Sequence, residues 1–61
     1  MDLFPPTLVE MVKEAEREVA LRRRVYPRRI AAGQMTRAAA DRQIQIMEAI
    51  VTTLARMVAQ Q

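Results

Sequence analysis

The sequence predicts an all-α fold: a helical hairpin of two helices, the first kinked at Pro27, forming a homodimer. Three observations predict it. Apolar residues recur at steps of three and four along two long stretches. The only glycine, Gly33, falls between those stretches, where a helix stop is expected. The third is size. A chain of 61 residues with no cysteine and no histidine is a single thin domain, residues 1–61. It buries only about 60% of the surface its unfolded form exposes and has no disulfide or metal to add stability. A second copy of itself is the remaining source.

The first helix opens on Pro5-Pro6 followed by Thr7-Leu8-Val9-Glu10. Thr7 can accept from the amide of Glu10 while Glu10 reaches back to the amide of Thr7. Alternatively Pro6 lies in the first turn and Asp2 caps a helix that starts earlier. Leu8, Val12, Ala15, Val19, Tyr26 and Ile30 then hold one face at helical period, with Met11 beside them. Arg22 interrupts that seam, either snorkelling over its edge or reserved for a partner. Leu21 and Val25 form a shorter stripe to one side. Pro27 removes a hydrogen bond to Arg23 and crowds that carbonyl, so the helix must kink there or stop near Tyr26. A kink is expected, because Arg28-Arg29-Ile30-Ala31-Ala32 continues the helix well and Gly33 ends it.

Gly33-Gln34-Met35 forms the turn, and Thr36 is placed to cap a second helix. That helix carries the seam Ala40, Ile44, Met47, Val51, Leu54, Val58, with Ile46, Ile50 and Met57 on its flank. Together they span about 160° of the helix, wider than the ~100° stripe that packing on one neighbour uses. Either Leu3-Phe4 folds back over the surplus, or a second copy covers it. The expected dimer interface is Leu8, Val12, Val19, Ile46, Ile50, Leu54 and Met57, with the second helices packed on each other.

The net charge of +3 hides a strong asymmetry. Residues 2–18 set Asp2, Glu10, Glu14, Glu16 and Glu18 against Lys13 and Arg17, whereas residues 22–42 set seven arginines against Asp41 alone. An acidic start and a basic end suit the macrodipole of the first helix. The excess at the elbow is larger than that effect requires. Arg22, Arg23, Arg24, Tyr26, Arg28 and Arg29 are therefore the expected partner-binding residues, tyrosine and arginine being the types that interfaces use as anchors.

Several classes are disfavoured. Without His or Cys, and with acids at the solvated spacing of Glu10, Glu14 and Glu18, the chain offers no nucleophile and base pair, no metal-ligand set and no phosphate-cradling loop. No catalytic residue, metal, cofactor or small-molecule ligand is expected. The longest apolar runs are three residues, as in Val19-Ala20-Leu21, against roughly 20 for a membrane span. Met1-Asp2-Leu3 before Pro5-Pro6 lacks the basic start and apolar run of a secretory signal, so a cytoplasmic protein is expected. Arg28 to Arg42 has the outline of a helix-turn-helix, but Arg29 occupies the position of its usual small residue, and the following helix is too long and too apolar for a reader of bases.

The stretch RRRVYPRRIAAGQMTRAAADRQIQIMEAI resembles short phage and prophage proteins that share an Arg-Arg-x-Val-Tyr-Pro start, a Gly-x-Met-Thr turn and an Ile-x-x-Met-Glu-Ala-Ile helix. The matching positions are Arg23, Val25, Tyr26, Pro27, Gly33, Met35, Thr36, Ala40, Asp41, Ile44, Met47, Glu48, Ala49 and Ile50, about half the chain. It departs from the pattern at Arg29, where relatives carry an aromatic or aliphatic residue nearby, and at Gln43, where they carry a glutamate nearby. The resemblance implies a small helical dimer in the cytoplasm of a bacterial host that blocks a host regulatory protein. The quorum-sensing anti-activators are the nearest functional type. A nucleic-acid-binding accessory protein using the arginine-rich elbow is the second expectation.

Overall fold

A computed structural model of the chain describes residues 4–61. It consists of α1 (Leu8–Ala31) and α2 (Arg37–Ala59), two helices packed antiparallel, with no strand among the described residues. The start of α1 follows the Thr7 alternative. The Glu10 amide donates to Thr7 Oγ1 at 3.1 Å, and the Thr7 amide donates to Glu10 Oε1 at 3.0 Å. Two amides with no partner inside the helix are thereby satisfied reciprocally. The alternative cap, Asp2, lies outside the described residues.

Helix α1 does not stop at Tyr26; it runs through Pro27 to Ala31. Its end is a complete Schellman motif. The Gly33 amide donates to Ile30 and the Gln34 amide to Arg29, while Gly33 itself turns the chain at φ +74°. Glycine is needed there for its backbone alone, because a Cβ at this position would meet no atom within 4 Å. Thr36 then caps α2 by accepting from the Ala39 amide at 3.1 Å. Both helix boundaries and the turn thus lie where the capping residues and the single glycine place them.

Between the helices Ala15, Val19 and Tyr26 of α1 and Ala40 of α2 are buried. The rest of both seams is half-buried, including Val12, Ile44, Met47, Val51 and Leu54. Close approach at the elbow depends on Ala40, which keeps only 1% of its surface. Two helices side by side form a slab one helix thick, 13 Å across its Cα atoms. The radius of gyration is 14.3 Å, against ~10.5 Å for a compact domain of this length. The accessible surface is 5057 Å², about 1,000 Å² more than the ~4,000 Å² expected of a folded monomer of this mass. Phe4 is 83% exposed and covers none of this surplus. Leu3, the other half of the expected fold-back, lies outside the described residues.

Candidate functional site

Two surfaces carry the sequence features that pointed to a partner: the arginine-rich end of α1 and the apolar side of the slab. The six residues expected at the first surface fall into two groups. Arg22, Arg23 and Tyr26 are turned toward α2. The Tyr26 ring is buried, and its hydroxyl donates to Gln43 Oε1 at 2.9 Å. Arg22 donates from Nε to Glu18 at 2.9 Å and from Nη1 to the carbonyl of Gln43 at 3.0 Å. Arg23 pairs with Glu48 across the helices. These three side chains fasten the hairpin near its elbow.

Arg24, Arg28 and Arg29 form the other group. None has a carboxylate partner among the described residues, and all three are exposed. Arg29 lies with its guanidinium carbon 5.8 Å from the centroid of the Tyr26 ring, within reach of a cation–π contact. The local cause of the division is helical spacing. Arg22, Arg23 and Tyr26 fall beside or on the Val19 seam, whereas Arg24 and Arg28, four apart, fall on the far side of α1. Gln43 and Glu48, which receive the inward group, were not expected as its partners. A buried tyrosine hydroxyl does require a polar partner. Gln43, on the flank of the α2 seam, was the available one.

The second surface is one broad side of the slab. Met11 and Ala15 of α1 and Met47, Ile50 and Leu54 of α2 line an open groove there, with Glu10, Glu14 and Glu18 along its α1 edge and Lys13 and Arg17 beside them. Ile46, Ala49, Ile50, Thr53 and Leu54 extend the lining over α2. Of the seven residues expected at a dimer interface, Val19 is buried within the hairpin itself, and Leu8, Val12 and Leu54 are half-buried. Ile46, Ile50 and Met57 stand 45%, 41% and 44% exposed, the surplus width of α2 that α1 does not cover.

Electrostatics follow the same geometry. The Glu10 carboxyl is held below its ordinary range, first by the backbone amide of Thr7 and then by the Thr7 side chain. Glu14 forms an exposed two-pronged pair with Arg17, with Nε at 2.9 Å and Nη2 at 2.8 Å from its two oxygens. Among the described residues no three His, Cys, Asp or Glu side chains gather as a metal-binding set. No helix is long and apolar enough to cross a membrane, again among the described residues. The arrangement can bind through apolar burial on one side and through guanidinium groups at the elbow. Comparison with protein-family models, curated proteins and solved structures finds no match for this chain.

Proposed function

We propose that this protein is a phage-encoded helical dimer that binds and inhibits a host regulatory protein in the bacterial cytoplasm, by occlusion and without chemistry. A transcriptional regulator of the quorum-sensing kind is the target class that the resemblance implies. In this reading α1 bends at Pro27, the hairpin pairs with a second copy through the apolar side, and the arginine elbow meets the target. The observation that carries it is the pairing of an uncovered apolar side with exposed, unpartnered Arg24, Arg28 and Arg29 at the elbow. A protein interface requires both an apolar anchor and charged groups that steer it.

The test changes Arg23, Arg24 and Arg28 together to Ser and measures melting temperature and capture of host protein from a nuclease-treated lysate. The expected result is lost capture of a regulator with a melting temperature close to wild type, since exposed ion pairs such as Arg23–Glu48 contribute ~1 kcal/mol or less. Undiminished capture removes the elbow from the site and makes the acidic edge of Glu10, Glu14 and Glu18 the better candidate.

A second reading, a nucleic-acid-binding accessory protein, is favoured by Arg24, Arg28 and Arg29, which have no carboxylate partner among the described residues, together with the exposed Arg37 and Arg42. Salt separates the two. Binding through Z phosphates weakens with a log–log slope near −0.9Z on duplex DNA, whereas an apolar-anchored protein contact changes far less.

A further inference from the structure

The apolar side of the slab holds the part of α2 that α1 leaves uncovered, and its likeness to itself limits how a second copy can cover it. Two equal faces meet around a two-fold axis. That axis can run along the hairpin or across it. An axis along the hairpin lays α1 on the partner's α2 and sets the two arginine-rich elbows side by side. An axis across the hairpin lays α1 antiparallel on α1 and α2 antiparallel on α2, so that each elbow faces the acidic open end of the other copy.

We infer that the occupant of this face is a second copy in the crosswise, antiparallel arrangement, with Ile50 close to the axis and Glu10 and Glu14 of each copy beside Arg28 of the other, which leaves Arg24 and the side of the elbow that carries the Arg23–Glu48 pair for the target. The inference rests on the dimer proposed above and fixes its geometry. Area supports a second copy. The surplus of about 1,000 Å² over a compact monomer matches the ~800 Å² that each partner gives to a stable interface.

Charge chooses the axis. Ile50 lines the same groove as Ala15 and Glu18, so the middle of α2 lies level with the middle of α1. Glu10 and Arg28 are nine residues either side of Val19 and on the same edge of α1, eighteen residues being five helical turns. Reversing one α1 over the other therefore brings Glu10 next to Arg28, and Glu14, opposite position 24, falls about one turn from the same guanidinium. The present partner of Glu14, Arg17, is an exposed neighbour on its own helix, with side chains 78% and 64% accessible. Such a pair is cheaply exchanged. The lengthwise axis offers those carboxylates only Arg56 in the last turn of the other copy's α2, and it concentrates both excesses of positive charge at one end.

Because the chain has no cysteine, single-cysteine variants report the axis directly. Under mild oxidation Ile50→Cys is expected to link to its own copy, while Met11→Cys stays unlinked. In the crosswise dimer the two Met11 positions lie roughly 25 Å apart along the helices, at 1.5 Å per residue; in the lengthwise dimer, where α1 lies on the α2 of the other copy, Met11 of one copy lies level with Met57 of the other. A dimer in which Met11→Cys mixed with Met57→Cys links more readily than Ile50→Cys links to its own copy overturns the crosswise axis and leaves the dimer standing. A wild-type chain that sediments as a monomer overturns both. A second measurement does not depend on oxidation. Glu14→Lys and Arg28→Glu, each folded by circular dichroism, are expected to self-associate about tenfold more weakly than wild type, the scale of a pair lost twice by symmetry. Mixed in equal amounts they should recover wild-type association as a heterodimer, and no recovery on mixing counts against the assigned charge contacts.

Discussion

The two broad sides of this hairpin are built from the same two helices and are finished differently. On one side Glu16, Ala20 and Arg23 of α1 face Glu48 and Thr52 of α2, and the Arg23–Glu48 pair closes the hairpin over Val19 and Val51. On the other, Met11, Ile46, Ile50 and Met57 stand in water. Single exposed apolar residues are ordinary on any protein. A connected set on one side is the kind of patch that interaction surfaces use. The intrachain contacts cover one side with a polar pair and leave the apolar residues of the other exposed, and the proposed dimer rests on that difference.

The largest effect that could break this contrast comes from one charge placed on each side. Ile50→Asp should abolish self-association, because an unpaired charge in a desolvated contact costs about 3–5 kcal/mol. Thr52→Asp, on the polar side, should leave the light-scattering mass unchanged. Equal effects from the two variants would show that the sides are not functionally distinct.

Next in size is the turn that creates both sides. Gly33→Val should lower stability by about 1–2 kcal/mol, the cost of a left-handed backbone for a residue with a Cβ, read as a lower melting temperature. Since no atom would collide with that Cβ, the loss is conformational, and Gly33→Asn should recover part of it. At the elbow, if α1 bends at Pro27 as proposed, Pro27→Ala should keep the fold, straighten α1 and add about 1 kcal/mol by restoring a hydrogen bond to Arg23. Loss of folding in that variant would mean that Pro27 sets a bend the hairpin requires. Tyr26→Phe should cost a similar ~1 kcal/mol through the lost bond to Gln43.

The smallest effect is electrostatic. The lowered pKa of Glu10 means that the folded chain binds its proton more weakly than the unfolded chain does. Its cap therefore stabilises the fold fully above the ordinary glutamate range of ~4.3 and is lost as pH falls through the folded value. Glu10→Gln should flatten the acid limb of a pH–stability profile, measured by thermal melts from neutral pH downward.

Much of the fold was legible in the sequence because it is set by local chemistry. Thr7 with Glu10, Gly33 and Thr36 each act within a few residues, and the structure places both helices between them. The seams were legible because their period is fixed by helix geometry. Helical spacing alone sets Arg22 and Arg23 beside the Val19 seam and Arg24 on the far side. What could not be read was which groups across the gap would receive the first two, the Gln43 carbonyl for Arg22 and Glu48 for Arg23. That pairing depends on the register between helices, which no local spacing encodes. Tyr26 is the same case: an interface anchor by residue type, it fills the hairpin core in the structure.

The most direct measurement is sedimentation equilibrium of the wild-type chain at tens of micromolar. The proposed dimer gives a mass twice the 7.0 kDa of one chain, reduced to one chain by Ile50→Asp. A wild-type mass of one chain would contradict it, because the apolar side would then be left in water with no second copy to cover it.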